Sequence, residues 1–357
     1  MAFKGWMCLN KRYQVLSVIS LGHFVIDAAC IMMVVRLTGS GKPLISAFLL
    51  LLYDLLAFAT QPILGYISDK YKKYGKIAAL GCILTALGMV FYNLPFLAVI
   101  ISGIGNALFH VGGGVVSLKL DPGKAWAPGI FIAPGTMGVF IGTLIGKQTF
   151  SPFPFIISLI LLSAVHYIIK DPSMEINNTR GMKVFSERLF NAVLVLILFT
   201  VIIRSFAGLG ISYVWKADIK LLLIMSVCVM LGKAMGGILS DRFGLLKVPV
   251  IGLILSVPCL ILGLSYPVTG IIGMFLFNLT MPVTLLLTAN LFPGHEGLGF
   301  GMTVLALSIG SIPVFSGLKL ISGYPIAIVV IASAVTFFFG YRLYEKMTDQ
   351  LNRRLES

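Results

Sequence analysis

Charged residues are scarce in this chain of 357 residues, because Asp, Glu, Lys and Arg together make up only 11% of it. A soluble domain carries about 25% charged residues, so this sequence has less than half of the charge that coats a water-facing surface. Apolar residue types make up 58% of the chain. The shortage of charge excludes a soluble enzyme and a disordered tail.

Cysteine is also rare, and its five copies stand singly, mostly within apolar runs. They are Cys8, Cys30, Cys82, Cys228 and Cys259. No two of them have the spacing of metal ligands or of a redox pair, which excludes a disulfide-stapled secreted module. We interpret these cysteines as small apolar side chains.

Long apolar runs take up most of the sequence. A membrane-spanning helix needs about 20 mostly apolar residues, and twelve such runs stand between charged or Pro/Gly-rich breaks. They predict an all-α polytopic membrane protein with twelve transmembrane helices. The first run is too long for a cleaved signal peptide and lacks a small-residue cleavage site. The runs lie near 14–36, 44–66, 77–94, 96–117, 128–146, 153–169, 189–213, 219–240, 248–266, 268–290, 299–318 and 324–341.

Basic residues are distributed unevenly between the loops. The chain has 27 Lys and Arg against 13 Asp and Glu, a net charge of +14. If both termini are cytoplasmic, nineteen Lys and Arg lie on the cytoplasmic side, six lie outside, and Arg204 and Lys233 lie within runs. This positive-inside bias predicts that orientation. It also indicates that the positive charge faces anionic lipid rather than nucleic acid.

The longest polar stretch, 171–188, divides the chain into two sets of six runs. We therefore predict an N-terminal bundle at 1–170, a cytoplasmic linker at 171–188 and a C-terminal bundle at 189–357. An even number of spans in each half makes an internal repeat parallel. A shift of 172 residues places Gly65, Ser68 and Asp69 on Gly237, Ser240 and Asp241, Pro95 on Pro267, Asn106 on Asn278, Gly129 on Gly301 and Gly138 on Gly310.

Two related loop motifs follow the second and eighth runs. They read GYISDKYKKYGK, from Gly65 to Lys76, and GGILSDRFGLLK, from Gly236 to Lys247. Both resemble the loop signature of the major facilitator superfamily, although the next glycine of the first copy is delayed to Gly75. The resemblance implies two parallel-repeat six-helix bundles with a substrate site between them near mid-membrane. It also implies a monomer in the cytoplasmic membrane that needs no cofactor.

A narrower resemblance concerns the fosmidomycin-resistance-type efflux branch of that superfamily. It rests on SLGHFVID (Ser20 to Asp27), QPILGYISD (Gln61 to Asp69) and GIGNALFHVGGG (Gly103 to Gly114). That branch typically reads FHP followed by an acidic residue, and here Val111 and Gly112 stand in those places. The resemblance implies proton-coupled efflux.

Three ionisable residues lie near the middle of the first two runs. His23 and Asp27 are four residues apart and share a helical face, and Asp54 lies in the second run. An ionisable group there costs about 2.5–3.5 kcal/mol, which marks it as functional. We predict proton coupling through all three, because such groups can change protonation as a cavity opens to each side. The alternative for Asp27 is a structural ion pair with Arg204. No third ligand accompanies His23 and Asp27, so the sequence predicts no metal site.

Other polar residues within the runs form a predicted substrate-binding set. Arg204 keeps its charge at working pH, which suits it to hold an anionic group or a carboxylate. The alternative for His110 is an interhelical hydrogen bond, and each asparagine either lines a cavity or bonds another helix. His166 is expected at the membrane interface. The predicted set is Asn106, His110, Arg204, Lys233 and Asn278.

The loop motifs predict a gate at the cytoplasmic side. A glycine lets two helices approach closely, and an aspartate can lie at a helix N-terminus or pair with a basic residue. The alternative for the lysines of the first motif is that they only fix topology. The predicted gate residues are Gly65, Asp69, Lys70, Gly237, Asp241 and Arg242.

Glycine and proline are dense in the fifth and eleventh runs, which the repeat relates. We expect these runs to form a rocking interface between the bundles, with tight packing of a general kind as the alternative. The residues are Gly129, Pro134, Gly135, Gly138, Gly142 and Gly146, and then Gly299, Gly301, Gly310 and Pro313.

These patterns favour a secondary transporter that exports a small organic molecule in exchange for protons. One alternative is a proton-coupled importer of a small anion that uses Arg204 and Lys233. Another is a transporter-like sensor or assembly protein that does not transport. The sequence holds no Ser-His-Asp grouping, HExxH or paired CxxC, so no enzyme is predicted. The expected partners are the substrate, protons and membrane lipid.

Overall fold

The computed structural model describes residues 2–39, 42–148, 151–168 and 187–356. Within these ranges the regular elements are helices, and the single isolated bridge joins Ile211 to Leu320. Among the described residues, nine helices are long and apolar enough to cross a membrane, and three further apolar helices are shorter. The chain is therefore an all-helical, multi-pass membrane protein, as the sequence predicts.

The described part of the chain has seven α-helices before residue 169 and seven after residue 186. The first seven are α1 (Ala2–Gly39), α2 (Pro43–Asp54), α3 (Gln61–Tyr71), α4 (Tyr74–Val90), α5 (Pro95–Leu120), α6 (Trp126–Gly146) and α7 (Phe153–Ile168). The others are α8 (Glu187–Gly210), α9 (Ile219–Phe243), α10 (Lys247–Leu262), α11 (Pro267–Asn278), α12 (Met281–Asn290), α13 (Glu296–Phe315) and α14 (Gly323–Glu356).

Each of the twelve apolar runs contains helix, and two of the runs are interrupted. The second run is divided into α2 and α3 by a π-helical turn at Leu55–Ala59. Pro62 lies in the first turn of α3, where its missing N–H leaves a carbonyl without an intrahelical donor. The side chain of Gln61 donates to the carbonyl of Ala57 at 2.8 Å. The break thus keeps part of its polar backbone satisfied inside the protein.

Helix ends repeat along the chain with the same 172-residue shift as the sequence. Proline in the first helical turn and the loop motifs set these ends. Proline suits the first turn of a helix because the N–H that it lacks would have no intrahelical partner there. Equivalent ends are those of α3 and α9 at Tyr71 and Phe243, those of α4 and α10 at Val90 and Leu262, and the starts of α5 and α11 at Pro95 and Pro267.

The predicted linker at 171–188 lies outside the described residues, except for its last two positions. Glu187 and Arg188, which the sequence places at the end of the linker, belong to the described part of α8. The division of the chain into two bundles and a linker stays a prediction.

Packing connects helices within and between the two parts of the chain, here termed the N-terminal half (up to residue 168) and the C-terminal half (from residue 187). In the N-terminal half, α1 packs on α6, and α4 packs on α5 and α7. In the C-terminal half, α8 packs on α13 and α14, and α10 packs on α11. Between the halves, α6 packs on α9 and α3 packs on α13.

Candidate functional site

Two helices of the N-terminal half bring three ionisable side chains together. His23 and Asp27 lie one turn apart on α1, and His110 reaches them from α5. The Nε2 atom of His23 lies 3.2 Å from Asp27 Oδ2, and that of His110 lies 3.4 Å from Asp27 Oδ1. The two Nε2 atoms are 3.0 Å apart. We term His23, Asp27 and His110 the triad; all three side chains are largely buried.

Backbone carbonyls hold the other ring nitrogen of each histidine. His23 Nδ1 lies 2.7 Å from the carbonyl oxygen of Phe131 on α6, and His110 Nδ1 lies 2.9 Å from that of Asn106. Because a carbonyl only accepts, each Nδ1 donates a proton to it. A neutral ring then has a lone pair at Nε2. The triad therefore directs two nitrogen lone pairs and a carboxylate to one point, which attracts a cation.

The triad is close to α6 because a glycine of that helix faces it. A Cβ atom on Gly135 would lie 2.5 Å from both Asp27 Oδ2 and His23 Nε2. One on Gly138 would lie 2.4 Å from the carbonyl oxygen of Phe24. A larger residue at Gly138 would push the backbone of α1 away from α6, and one at Gly135 would displace the side chains of His23 and Asp27. The glycines of the fifth run thus allow close approach, as small residues do between membrane helices.

Some of the glycines in the predicted rocking interface lie between the halves and others lie within one half, and the rocking motion stays a prediction. Gly129 faces α9 of the C-terminal half, where its Cβ would lie 2.9 Å from the carbonyl of Lys233, and Gly301 similarly faces Gln61 of α3. The others contact helices of their own half. Four glycines of α6 face α1, and two glycines of α13 face α8 and α12. The four that face α1 are Gly135, Gly138, Gly142 and Gly146; Gly310 faces α8 and Gly299 faces α12.

The repeat-related asparagines have different partners. Asn106 is buried on α5, and its Nδ2 atom donates to the hydroxyl of Tyr53 on α2 at 2.5 Å. Asn278 donates instead to the carbonyl of Met274 within its own helix, at 2.8 Å. Asn106 thus bonds another helix, which is one of the two alternatives, whereas the hydrogen bond of Asn278 lies within its own helix. Tyr53 joins the site through Asn106 and was not identified from the sequence.

Two basic residues of the C-terminal half have no carboxylate partner within 4.0 Å in the described chain. Arg204 is buried on α8, and its Nη2 atom donates to the carbonyl of Phe277 at 3.0 Å. Its guanidinium carbon lies 4.8 Å from the Phe277 ring centroid. Lys233 is half-buried on α9. The alternative of an Asp27–Arg204 ion pair is wrong, because Arg204 instead engages α11.

Asp54 contacts the other half of the chain. Its Oδ2 atom accepts a hydrogen bond from the hydroxyl of Ser308 on α13 at 2.5 Å. Among the described residues it forms no hydrogen bond or ion pair with His23 or Asp27, and its predicted grouping with them stays a prediction. Ser308 was not identified from the sequence, where one serine in an apolar run gives no signal.

Asp69, near the end of α3, joins the two halves of the chain through hydrogen bonds. Its carboxylate accepts hydrogen bonds from the backbone N–H groups of Gly297 at 2.9 Å and Leu298 at 3.0 Å, in the first turn of α13. It also accepts one from the hydroxyl of Tyr74 at 2.9 Å. A carboxylate at a helix N-terminus satisfies free donors and complements the positive end of the helix dipole.

Asp241, near the end of α9, makes the reciprocal contact: a side chain of the C-terminal half bonds a helix of the N-terminal half. Its carboxylate accepts from the backbone N–H groups of Ala125, at 2.9 and 3.0 Å, and Trp126, at 2.8 Å, at the start of α6. A shift of 172 residues takes Asp69 to Asp241 and the Ala125 donor to Gly297. The two caps are thus equivalent under the repeat, and we term this end of the molecule the cap end.

Glycines make both caps possible. A Cβ on Gly65 would lie 2.0 Å from the carbonyl oxygen of Gly297, and one on Gly237 would lie 2.2 Å from that of Ala125. The two loop-motif glycines therefore allow direct backbone contact between the halves. The predicted gate residues Gly65, Asp69, Gly237 and Asp241 all lie at this contact.

The two basic gate residues do not join it. Lys70 is exposed with its Nζ atom 4.7 Å from the Tyr66 ring centroid, and Arg242 is exposed over Phe243 at 5.3 Å. In the described residues neither forms an ion pair with the aspartates, because the backbone N–H groups already occupy the carboxylates. The ion pair across this end joins Lys119 of α5 to Glu296 of α13 at 3.0 Å and was not predicted.

His166 is buried among neighbouring helices, and its expected place at the membrane interface stays a prediction. Its Nδ1 atom lies 2.6 Å from the carbonyl of Leu162. Its ring packs edge-on against Phe109 with centroids 5.5 Å apart. The reason is that α7 packs on α1 and α4, so the end of α7 is covered by neighbouring helices.

Known structures share this architecture. No protein-family model and no curated protein matches the sequence. The human organic anion transporter MFSD10 matches with a TM-score of 0.69 and 15% identity, over 93% of this chain and 99% of that one. The E. coli fucose:proton symporter FucP gives 0.65 and 13% identity over 92% and 98%, and the proton:xylose symporter XylE gives 0.65 and 14% over 93% and 96%.

The chain thus has the fold of major facilitator superfamily transporters. The sequence resemblance to that superfamily is confirmed at this level by matches that cover most of both chains. The narrower resemblance to the fosmidomycin-resistance-type branch stays a prediction.

Proposed function

We propose that the chain is a secondary active transporter that moves a small organic molecule across the cytoplasmic membrane by alternating access. In this proposal twelve spans form two six-helix lobes, 1–170 and 189–357, joined by a cytoplasmic linker, and both termini are cytoplasmic. The protein works as a monomer without a cofactor and is not an enzyme. The observation that carries the proposal is the pair of reciprocal caps made by Asp69 and Asp241.

The caps suit a gate because they can break and reform. Each joins one carboxylate to two backbone N–H groups across the halves. A hydrogen bond to a charged group contributes about 1.5–3 kcal/mol net. A substrate can offset that amount by binding one conformation more tightly than the other. We propose that the cap end is the cytoplasmic end, as the distribution of basic residues predicts.

Proton coupling is proposed to occur at the triad. Its lone pairs and carboxylate converge at distances of 3.0–3.4 Å, an arrangement that a shared proton stabilises. Asp27 supplies the negative charge, and the two histidines pass the proton between α1 and α5. FucP and XylE are proton symporters by name, which supports proton coupling in this fold without fixing its direction here. We propose export in exchange for protons.

A second candidate is a proton-coupled importer of a small anion. The observation that favours it is that Arg204 and Lys233 have no carboxylate within 4.0 Å among the described residues. A buried charge without a partner is costly, and an anionic substrate group would supply one. Within the described ranges, Arg204 donates through Nη2 to the carbonyl of Phe277, and its buried Nε atom has no hydrogen-bond partner.

Proteoliposomes with an imposed pH gradient test both candidates. Candidate compounds, including anions and their neutral analogues, are screened for flux together with proton movement. We expect a compound whose flux follows the pH gradient, and we expect Asp27→Asn to abolish that dependence while the folded protein remains extractable. Asp218→Asn, which changes a cap within α9 alone, is the matched control. Full gradient-driven transport by Asp27→Asn would remove the coupling role.

A further inference from the structure

We propose that the triad of His23, Asp27 and His110 is a binding site for a divalent transition-metal ion such as Zn²⁺ or Co²⁺. The sequence predicts no such site because His23 and Asp27 lie on one helix without a third ligand. The structure supplies that ligand from α5, since His110 Nε2 lies 3.0 Å from His23 Nε2 and 3.4 Å from Asp27 Oδ1. One ligand atom from each residue lies within 4.8 Å of the others.

The spacing of the ligand atoms fits a single metal ion. Imidazole nitrogens and carboxylate oxygens bind Zn²⁺ at about 2.0–2.2 Å, so neighbouring ligands of a tetrahedral ion lie about 3.3 Å apart. The closest contacts in the triad are 3.0, 3.2 and 3.4 Å. Asp27 presents Oδ2 to His23 and Oδ1 to His110, so its carboxylate faces both nitrogens. A small rotation of that carboxylate lets one oxygen complete a face of a tetrahedron with the two nitrogens, and the fourth position takes water or another ligand.

The outer contacts of both histidines are those that metal ligands have. Metal-bound histidines donate their second ring N–H to a carbonyl or carboxylate, which fixes the tautomer and orients the ring. His23 Nδ1 has the Phe131 carbonyl at 2.7 Å and His110 Nδ1 has the Asn106 carbonyl at 2.9 Å. These two contacts come from different helices, so they hold the rings independently of each other.

Imidazole and carboxylate together favour zinc, cobalt, nickel or iron rather than magnesium or calcium, which prefer oxygen ligands. Gly135 sets the space available on one side, because its missing Cβ would lie 2.5 Å from both His23 Nε2 and Asp27 Oδ2. Replacement by alanine keeps every ligand atom and displaces the ligands from one another. Gly135→Ala therefore tests the geometry rather than the composition of the site.

Lys233 is the charge that opposes the metal. It lies on α9, and its ammonium interacts electrostatically with Asp27 from beyond ion-pair distance. Removal of that positive charge should strengthen cation binding without touching a ligand. Lys233→Met is therefore expected to lower the dissociation constant several-fold. Weaker metal binding after substitution of either histidine, together with tighter binding by Lys233→Met, would locate the ion in the triad.

Titration with Co²⁺ is the direct experiment, because a Co²⁺ ion with nitrogen ligands in a tetrahedral site has visible absorption bands much stronger than those of the hydrated ion. The full chain is purified in detergent with an affinity tag that contains no histidine. The chain has only four histidines, so His166→Gln and His295→Gln complete the set of controls. Monodisperse elution in size-exclusion chromatography verifies that each variant is folded.

We expect one Co²⁺ per chain, displaced by one Zn²⁺. His23→Gln and His110→Gln should each weaken binding at least tenfold, Gly135→Ala should also weaken it, and His166→Gln and His295→Gln should leave it unchanged. The inference is overturned if the native protein takes up no Co²⁺ beyond the double variant His23→Gln/His110→Gln. It is also overturned if that double variant binds as tightly as the native protein.

This inference uses the same residues as the proposed function but is measured without transport. Metal binding in the absence of any gradient-driven flux would contradict the proposed function alone. Proton-driven flux in a protein that binds no Co²⁺ would contradict the metal site alone. If both hold, the triad is a cation site that accepts either a proton or a metal ion.

Discussion

Asp69 and Asp241 lie 172 positions apart, and each accepts hydrogen bonds from the first backbone N–H groups of a helix in the opposite half of the chain. Their donors, Gly297 and Ala125, are also 172 positions apart. The same contact is therefore built twice, in opposite directions, at one end of the molecule. Closure of that end depends on two similar bonds rather than on one lock.

Loss of either cap charge should open the cap end. Asp69→Asn or Asp241→Asn removes a carboxylate from a helix N-terminus, where hydrogen bonds to a charged group contribute about 1.5–3 kcal/mol. Each change should raise the population open at this end about tenfold or more. Ser68→Cys, at a buried position beside Asp69, reports opening in a background without native cysteines. The measurement is its labelling rate with a charged maleimide.

The matched control for the caps is Asp218→Asn. Asp218 accepts hydrogen bonds from Lys220 and Leu221 at the start of its own helix, so it caps a helix without joining the halves. It should leave the labelling rate of Ser68→Cys unchanged. Equal rates in the native background and in the double variant Asp69→Asn/Asp241→Asn would show that the caps do not hold this end closed.

Alanine at the two cap-end glycines should act in the same direction through sterics. Gly65→Ala and Gly237→Ala would place a Cβ 2.0 and 2.2 Å from backbone oxygens of the opposite half. Overpacking of this kind costs about 1–3 kcal/mol, so both variants should unfold at lower temperature in detergent and label faster at Ser68→Cys. Gly39→Ala, with no atom within 4 Å of its Cβ, is the control. Native-like behaviour of both variants would argue against close contact at this end.

The Asp54–Ser308 hydrogen bond should contribute to stability without carrying proton coupling. Ser308→Ala removes this bond between α2 and α13, and Asp54→Asn replaces its charged acceptor by a weaker neutral one. Residues in direct contact give non-additive changes, so the double variant should be no less stable than the worse single variant. Thermal unfolding of the four proteins measures this coupling. Asp54→Asn should retain gradient-driven flux. If it loses that flux as Asp27→Asn is expected to, Asp54 takes part in proton coupling.

The lowered pKa of Lys216 leads us to predict that stability depends on pH. It lies in the turn between α8 and α9, outside the spanning helices, and burial lowers its pKa from 10.5 to about 8. The folded protein therefore holds fewer protons here than the unfolded chain between these values, and stability should rise as the pH increases from about 8 to about 10.5. Lys216→Met should reduce this rise in thermal unfolding. An identical pH dependence in both proteins would contradict the shift.

The fold was predictable because its signals are long and repeated. Twelve apolar runs locate the helices, and rare residues such as Asp69, Pro95 and Asn106 recur after 172 positions. The exceptions are the breaks at Leu55–Ala59 and between α11 and α12, since hydropathy does not register a change of helical pitch. Helix ends extend beyond several apolar runs because polar end residues remain helical.

The site was predictable only in part, because its partners are distant in sequence. The pair of His23 and Asp27 follows from helical periodicity on one helix. That His110 completes the pair depends on how α5 packs against α1, which apolar helices without a polar face do not reveal. Tyr53 and Ser308 each enter through one hydrogen bond to another helix. No local pattern marks such residues.

The most direct test of alternating access measures distances at both ends of the same protein. Spin labels at Lys73→Cys and Pro293→Cys report the cap end, and labels at the exposed positions Leu94→Cys and Tyr266→Cys report the other end. Pulsed electron paramagnetic resonance in lipid nanodiscs gives the distance distributions. We predict that Asp69→Asn/Asp241→Asn lengthens the first distance and shortens the second. Distances that stay unchanged at both ends, or that lengthen together, would contradict the account.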